Sequence, residues 1–304
     1  MSQPILHQPV LLGPILDRAR GARRIVDATL GHGGHAAALL APGVTLLGID
    51  RDPDAIATAR ERLGDAAVTY LQRPYGSDDA LRAITAFHPD FILADLGVSS
   101  RQLDQADRGF TFRAGAPLDM RMGPDAPTAA EWLAGVDEAE LVAMLRKYAD
   151  EPKAGRLARE MLRRRENAPF VTSDDVVNAV RAVLGPRSGP GDFARIFQGI
   201  RIAVNEELTG LERALPAFRD ALSPGGTLAV ISYHSGEDRL VKGAFRAWEQ
   251  GCTCPPQLPQ CVCGKEPLGR AEPHKAVIPL AAEIAGNPRA RSAKLRFFRV
   301  QHAG

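Results

Sequence analysis

The sequence predicts an α/β protein in which a doubly wound, mainly parallel sheet is interrupted by an all-helical insertion. Three observations carry this. Short apolar runs alternate with helical runs as far as residue 95, the rhythm of strands joined by crossover helices. Between about 128 and 218 only helical spacing is present. Strand signals then return after Ser223-Pro224-Gly225-Gly226. At 304 residues the chain is long enough for one large domain, or for a core domain and a smaller companion. Its 45% apolar and 24% charged residues favour a packed core over disorder.

Taken in order, Arg24 to Leu30 reads as the first buried strand. The turn Gly31-His32-Gly33-Gly34-His35 follows it, and then a helical run, Ala36 to Leu40. Val44 to Ile49 is a second strand ending in Asp50. Pro53 opens a helix to about Leu63, at a first-turn position where its missing N–H leaves no bond unmade. Ala67 to Leu71 is a third strand, Ser77 to Phe87 a helix, and Phe91 to Ala94 a fourth strand ending in Asp95. Residues 101 to 125, rich in Arg, Gly, Asp and Pro, read as a long functional loop. Leu141, Met144 and Leu145 have helical spacing, and Thr172-Ser173-Asp174-Asp175 starts a helix before Val176 to Leu184. Thr227 to Ser232 is the fifth strand. A Pro- and Cys-rich connection, 251 to 273, leads to a final basic strand, Ala293 to Gln301. The expected Rossmann-like domain is therefore 1–105 with 219–304, and the insertion is 106–218.

Net charge is +2 and the pI about 8.4, too weakly basic to announce a nucleic-acid partner without local clusters. No apolar run approaches the roughly 20 residues of a membrane span. Met1 to Val10 shows no basic region followed by an apolar stretch. Both point to a cytoplasmic protein with no membrane partner. Cytosolic thiols stay reduced, so Cys252, Cys254, Cys261 and Cys263 do not read as a disulfide framework. Two Cys-x-Cys pairs can wrap one tetrahedral zinc ion or remain four thiols. Their spacing is tighter than usual, both readings stay open, and no residue is assigned as a metal ligand.

Ligands of open α/β sheets bind beyond the carboxyl ends of the strands. The glycines after the first strand let a backbone approach a ligand closely. Asp50, about 20 residues on, stands where a carboxylate accepts hydrogen bonds from ribose hydroxyls. Tyr75 offers a ring to an adenine, and Asp95 ends the fourth strand. A glycine turn needed only for packing is the plain alternative. A dinucleotide site would prefer G-x-G-x-x-G with a helix N-terminus on the pyrophosphate. Here the third glycine is misplaced, and S-adenosylmethionine, which has no phosphate, fits better.

The longer motifs are specific. They are His7-Gln8-Pro9-Val10-Leu11-Leu12, Asp27-Ala28-Thr29-Leu30-Gly31-His32-Gly33-Gly34-His35 and Gly48-Ile49-Asp50-Arg51-Asp52-Pro53. Asp95-Leu96-Gly97-Val98-Ser99-Ser100-Arg101-Gln102-Leu103-Asp104, Arg108-Gly109-Phe110-Thr111-Phe112 and Pro117-Leu118-Asp119-Met120-Arg121-Met122 follow. Phe197-Gln198-Gly199-Ile200-Arg201-Ile202-Ala203-Val204-Asn205 and Asn287-Pro288-Arg289-Ala290-Arg291-Ser292-Ala293-Lys294-Leu295-Arg296 complete the set. Over nearly its whole length the chain resembles the bacterial 16S rRNA cytosine-N4 methyltransferases, the RsmH or MraW family.

The resemblance implies a class I methyltransferase sheet and S-adenosylmethionine as cofactor. It implies methylation of the exocyclic N4 of one cytosine, family position 1402, in the decoding region of 16S rRNA within the small ribosomal subunit. DNA is not the implied partner, and a homodimer is compatible with the sequence. By motif, cofactor contacts fall on Gly33, Gly34, His35, Asp50, Tyr75, Asp95 and Gln102. Tyr75 stands where the family usually has Phe. Tyr233-His234-Ser235-Gly236-Glu237-Asp238 stands for Phe-His-Ser-Leu-Glu-Asp, and Gly191-Asp192-Phe193 replaces a His-Pro-Ala stretch.

A cytosine amine is a poor nucleophile because its lone pair is delocalised into the ring. Transfer needs the nitrogen aligned with the methyl group and an acceptor for the N4–H. Asp95 is the candidate acceptor, cofactor contact, or both, against a plain role as a helix cap. His234, ending the fifth strand, either touches the base or is a buried, hydrogen-bonded histidine. The base must leave its stack to reach such a pocket. Arg289, Arg291, Lys294, Arg296 and Arg299, interleaved with Phe297 and Phe298, and Arg163-Arg164-Arg165 on the insertion are the candidate RNA patches. Their alternatives are solvated faces for the cations and core for the aromatic pair. Rival classes are a methyltransferase for DNA or a small molecule, and a non-catalytic assembly protein on a decayed cofactor fold. The intact turn, Asp50 and Asp95 argue against decay.

Overall fold

A computed structural model describes residues 9–64, 67–98, 102–103, 105–252, 254 and 263–301. His7, Gln8, Ser99, Ser100, Arg101 and Asp104 of the motifs, and Cys261 of the cysteine pattern, lie outside the described residues. The chain forms two compact units, Met1–Gly97 with Thr209–Gly304, and Val98–Leu208.

The first unit is built on a seven-stranded sheet. Its strands are β1 (Arg24–Asp27), β2 (Thr45–Asp50), β3 (Val68–Gln72), β4 (Phe91–Asp95), β5 (Thr227–Ser232), β6 (Gly269–Ala271) and β7 (Lys294–Val300). They lie in the order β3-β2-β1-β4-β5-β7-β6. The first five are parallel, whereas β7 runs antiparallel to both of its neighbours. β1 and β4 are central, and the chain passes from β3 on one side to β4 on the other. That reversal is the switch point at which a parallel sheet opens a crevice.

The strand sequences explain the two cores. Strands covered on both faces read as continuous apolar runs, and successive side chains still alternate in direction. Val26, Leu47, Ile49, Ile92, Ala94, Leu228, Val230 and Phe298 pack on one face. Ile25, Leu46, Phe91, Leu93, Ala229, Ile231, Leu295 and Phe297 pack on the other. The adjacent Phe297 and Phe298 thus belong to opposite faces, which settles the aromatic pair as core.

The helices of this unit are α1 (Leu12–Arg18), α2 (Gly34–Leu39), α3 (Pro53–Leu63) and α4 (Asp78–Phe87) near the start. Asp52 caps α3 by accepting from the Asp54 N–H, and Ser77 caps α4 through the Ala80 N–H. β1 ends at Asp27, three residues before the expected limit. The Ala28 and Leu30 amides still donate to Leu93 and Ile49 carbonyls on either side, but the Asp27 carboxylate accepts from the Thr29 N–H and bends the chain into its turn.

The second unit carries α5 (Ala129–Gly135), α6 (Glu138–Lys147), α7 (Ala154–Asn167), α8 (Ser173–Leu184) and α9 (Pro190–Val204). α5 opens on a reciprocal capping box, Thr128 with Glu131, and at the start of α8 the Asp175 carboxylate accepts from the Thr172 N–H. α10 (Glu207–Ala221) leaves this unit for the first, and α11 (Ser235–Glu249) and α12 (Ala281–Gly286) follow β5 and precede β7 respectively. The loop expected at 101 to 125 is in part a structural clasp. Leu118, Met120 and Met122 are buried. The Met122 N–H donates to Asn205 Oδ1 at 2.9 Å, while Asn205 Nδ2 donates to the Met120 carbonyl at 2.8 Å. Two of the most specific motifs therefore meet through one buried amide.

Candidate active site

Asp27, Asp50 and Asp95 end β1, β2 and β4 at the carboxyl edge of the sheet. The turn between β1 and α2 lies among them. Gly31 has φ 51° and Gly33 φ 73°, left-handed values that glycine adopts without strain. A Cβ on Gly33 would meet Leu63 Cδ1 at 3.0 Å, and one on Gly34 would meet Pro9 Cγ at 3.1 Å. Gly33 and Gly34 are thus set by packing behind the turn as well as by any ligand before it. A Cβ on Gly31 would meet only the Thr29 carbonyl, at 3.9 Å, so this side of the turn is open.

Asp50 is locked in place. Its Oδ2 accepts from the Gly31 N–H at 2.8 Å and its Oδ1 from the Asp52 N–H at 2.9 Å. Burial pushes its carboxyl above the ordinary range, and these two donors oppose the shift. Each oxygen keeps a lone pair for a further donor, as a ribose diol requires.

His35 lies in the first turn of α2 and is buried. Its Nε2 is 2.9 Å from the Val10 carbonyl, so that nitrogen carries the proton, and its Nδ1 is 3.7 Å from Asp95 Oδ2. Asp95 Oδ1 accepts from the Tyr233 hydroxyl at 2.8 Å, and the Asp95 N–H donates to Thr29 Oγ1 at 2.6 Å. Burial raises the Asp95 carboxyl, while His35 and the Tyr233 hydroxyl pull it back. Tyr233 in turn is pushed well above a phenol's usual value, by burial first and then by Asp95.

Sequence reasoning read Asp27 only as part of a strand. It is buried and raised to about 7, mainly by desolvation, with His35 opposing and Asp95 and Asp50 adding to the rise. The available signal was an acid closing an apolar strand, as at Asp50 and Asp95. Tyr233 departs from the family pattern, and its hydroxyl is the part that reaches Asp95.

Tyr75 follows β3 and is a half-buried ring that packs on Phe218 with centroids 6.1 Å apart. His234 caps α11. Its Nδ1 accepts from the Gly236 N–H at 3.2 Å and the Glu237 N–H at 3.4 Å. Its Nε2 is buried 3.3 Å from Glu237 Oε1 without the alignment of a hydrogen bond. Gln102 is buried in the second unit.

Three carboxyls around an open glycine turn, Asp27 buried and Asp50 and Asp95 half-buried, suit a ligand that carries positive charge and a diol. They would repel a pyrophosphate. S-adenosylmethionine, with its sulfonium, ribose and adenine, fits this donor set; a dinucleotide does not.

The basic patches are less available than the sequence suggests. Lys294 and Arg296 both pair with Asp238, at 3.0 and 2.7 Å. Arg163 and Arg164 share Glu160, at 2.8 and 2.7 Å. Arg165 donates to the Leu133 and Val136 carbonyls at 2.9 and 2.7 Å, closing the C-terminus of α5.

Comparison with known proteins gives the family. The enzyme named Ribosomal RNA small subunit methyltransferase H in Gemmatimonas aurantiaca is 57% identical, over 96% of this chain and 95% of that one. Its namesake in Myxococcus xanthus is 47% identical, over 95% of this chain and 96% of that one. A solved rRNA methylase of Streptococcus thermophilus is 11% identical with a TM-score of 0.41, covering 96% and 94% of the two chains, too distant to add weight. The pattern describing the MraW methylase family matches residues 4–301. The chain therefore belongs to the MraW methylase family, with S-adenosylmethionine as its cofactor.

Proposed function

We propose that this protein methylates the exocyclic N4 of one cytosine in 16S rRNA of the small ribosomal subunit, at the position numbered 1402 in the family. The observation that supports this most is the half-buried Asp95 carboxyl at the switch point, held by the Tyr233 hydroxyl at 2.8 Å. The names of the closely similar relatives supply the RNA.

When bound, the cofactor supplies an electrophilic methyl group. Asp50 accepts from its ribose, Tyr75 flanks its adenine, and Gly33, Gly34 and His35 shape the turn beneath it. Gln102 is assigned to the same site by motif. Asp95 accepts the N4–H as the amine becomes cationic, so the proton leaves the nitrogen for a carboxylate already fixed in direction. Tyr233 occupies Oδ1, which leaves Oδ2 to face the amine. His35, with its Nδ1 3.7 Å from that oxygen, offsets the cost of the negative charge when its ring carries both protons. His234 acts through position: it fixes the start of α11, next to Tyr233. Residues 106–218 supply the surface that meets folded RNA, in the cytoplasm where subunits are assembled.

The test uses small subunits from a strain lacking the modification, with isotopically labelled cofactor. Labelled N4-methylcytidine in 16S rRNA supports the reading. Label on another atom, or label transferred to DNA and not to subunits, overturns it.

A further inference from the structure

We propose that Cys252, Cys254 and Cys263 hold a structural zinc ion that staples the connection between α11 and β6. The three Sγ atoms all lie within 4.8 Å of one another. Those of Cys252 and Cys263 are 3.7 Å apart. Zinc–thiolate bonds of about 2.3 Å at tetrahedral angles place two sulfurs about 3.8 Å apart. A disulfide requires about 2.05 Å. The observed separation is too long for a disulfide and matches the spacing of two ligands of one ion.

The backbone supports the same reading. The Cys254 N–H points at Cys252 Sγ, at 3.4 Å, the kind of contact that steadies a metal-bound thiolate. The root of the connection is closed. The Leu268 N–H donates to the Trp248 carbonyl at 2.8 Å, and the Ala271 N–H donates to Glu249 Oε1 at 2.7 Å. A Cβ on Gly251 would touch Pro267 Cδ at 3.0 Å, so the two limbs of the loop are packed together there. Beyond the root, residues 263 to 268 are all exposed. Apolar burial does not explain why Cys263 lies beside a thiol eleven positions earlier. Ordering an exposed loop opposes its conformational entropy, and a metal clip at its neck offsets that.

The soft sulfur donors select zinc over magnesium or calcium, which take oxygen ligands. Binding converts three thiols to thiolates and releases three protons to solvent, with no change in oxidation state. The fourth coordination position is left to a further donor. The ion is structural: none of the residues assigned to methyl transfer is among its ligands.

The test is metal analysis of the full chain, expressed with zinc and purified without chelator. One zinc per chain is expected, with the three thiols protected from a thiol reagent until a chelator removes the ion. Replacing zinc with cobalt should give thiolate-to-cobalt charge-transfer absorption and tetrahedral ligand-field bands. The double variant Cys252→Ser/Cys263→Ser should lose most of the metal with an unchanged far-UV circular dichroism spectrum. Wild-type protein that holds almost no zinc after reconstitution and dialysis overturns the proposal, as does a full complement of zinc in the double variant. An intact mass showing a disulfide between these cysteines in fresh protein also overturns it. The cobalt spectrum is read on wild-type protein, so it decides the matter even where the variant does not fold.

Discussion

At Asp95, burial raises the carboxyl while His35 and the Tyr233 hydroxyl oppose the rise. The hydroxyl does so by stabilising the charged form. In the proposed reaction the charged form accepts the N4–H, so that reading predicts a rate that rises with pH through an acidic limb above the ordinary carboxylate range. Tyr233→Phe removes a bond to a charged group, worth about 1.5–3 kcal/mol. The limb should then move to higher pH by about one unit or more, while the plateau changes less. An unmoved limb in the pH profile of kcat/KM would assign that limb to another group. Asp27 has a stability signature of its own. Its folded value of about 7 lies far above the ordinary 3.8. Between those two values the unfolded chain has released a proton that the folded chain retains, so stability falls as pH rises across that window and levels above it. Asp27→Asn should flatten this slope in denaturant titrations from about pH 4 to about pH 8. A slope equal to that of wild type would remove Asp27 as its source. The positions of Asp50 and Asp95 could be read from the sequence because acids after apolar strands have few structural duties. The Tyr233 contact could not, since it joins residues 138 positions apart.

At the scale of elements, strands and helix starts were readable wherever local chemistry and tertiary context agree. Ser77 and the Thr172–Asp175 pair mark helix starts by satisfying end amides, and Pro53 marks one by removing an amide that would have no partner. β6 was hidden because three residues inside a Pro- and Cys-rich stretch carry no period. Gly269 joins the sheet by lying against the Arg299 carbonyl and the Phe298 ring, which only the fold reveals. α11 has no ordinary start signal in the sequence because its cap is a histidine, His234. The Arg163-Arg164-Arg165 run separates into two functions. Arg165→Ala should destabilise the second unit by about 1–3 kcal/mol, because two helix-end carbonyls lose their donor. Arg163→Ala with Arg164→Ala should leave stability nearly unchanged and flatten the salt dependence of subunit binding. Thermal unfolding with filter binding across a salt series separates them. Equal loss of stability in both variants would contradict this division.

For the whole molecule, the order β3-β2-β1-β4-β5-β7-β6 brings the ends of β1, β2 and β4 together although they are spread over nearly 70 residues of sequence. The alternation of strand and helix announced this arrangement. The antiparallel return of β7 gave no signal beyond its apolar and basic pattern. The most direct measurement is the identity of the methylated atom in 16S rRNA after reaction of unmodified small subunits with labelled cofactor, for wild type and for Asp95→Asn. The latter keeps the shape of Asp95 and removes its capacity to take a proton. Wild-type protein should yield N4-methylcytidine at one position, and Asp95→Asn should bind subunits and cofactor while yielding almost none. Label at a ring carbon, or a wild-type rate of N4 methylation by Asp95→Asn, would contradict the account.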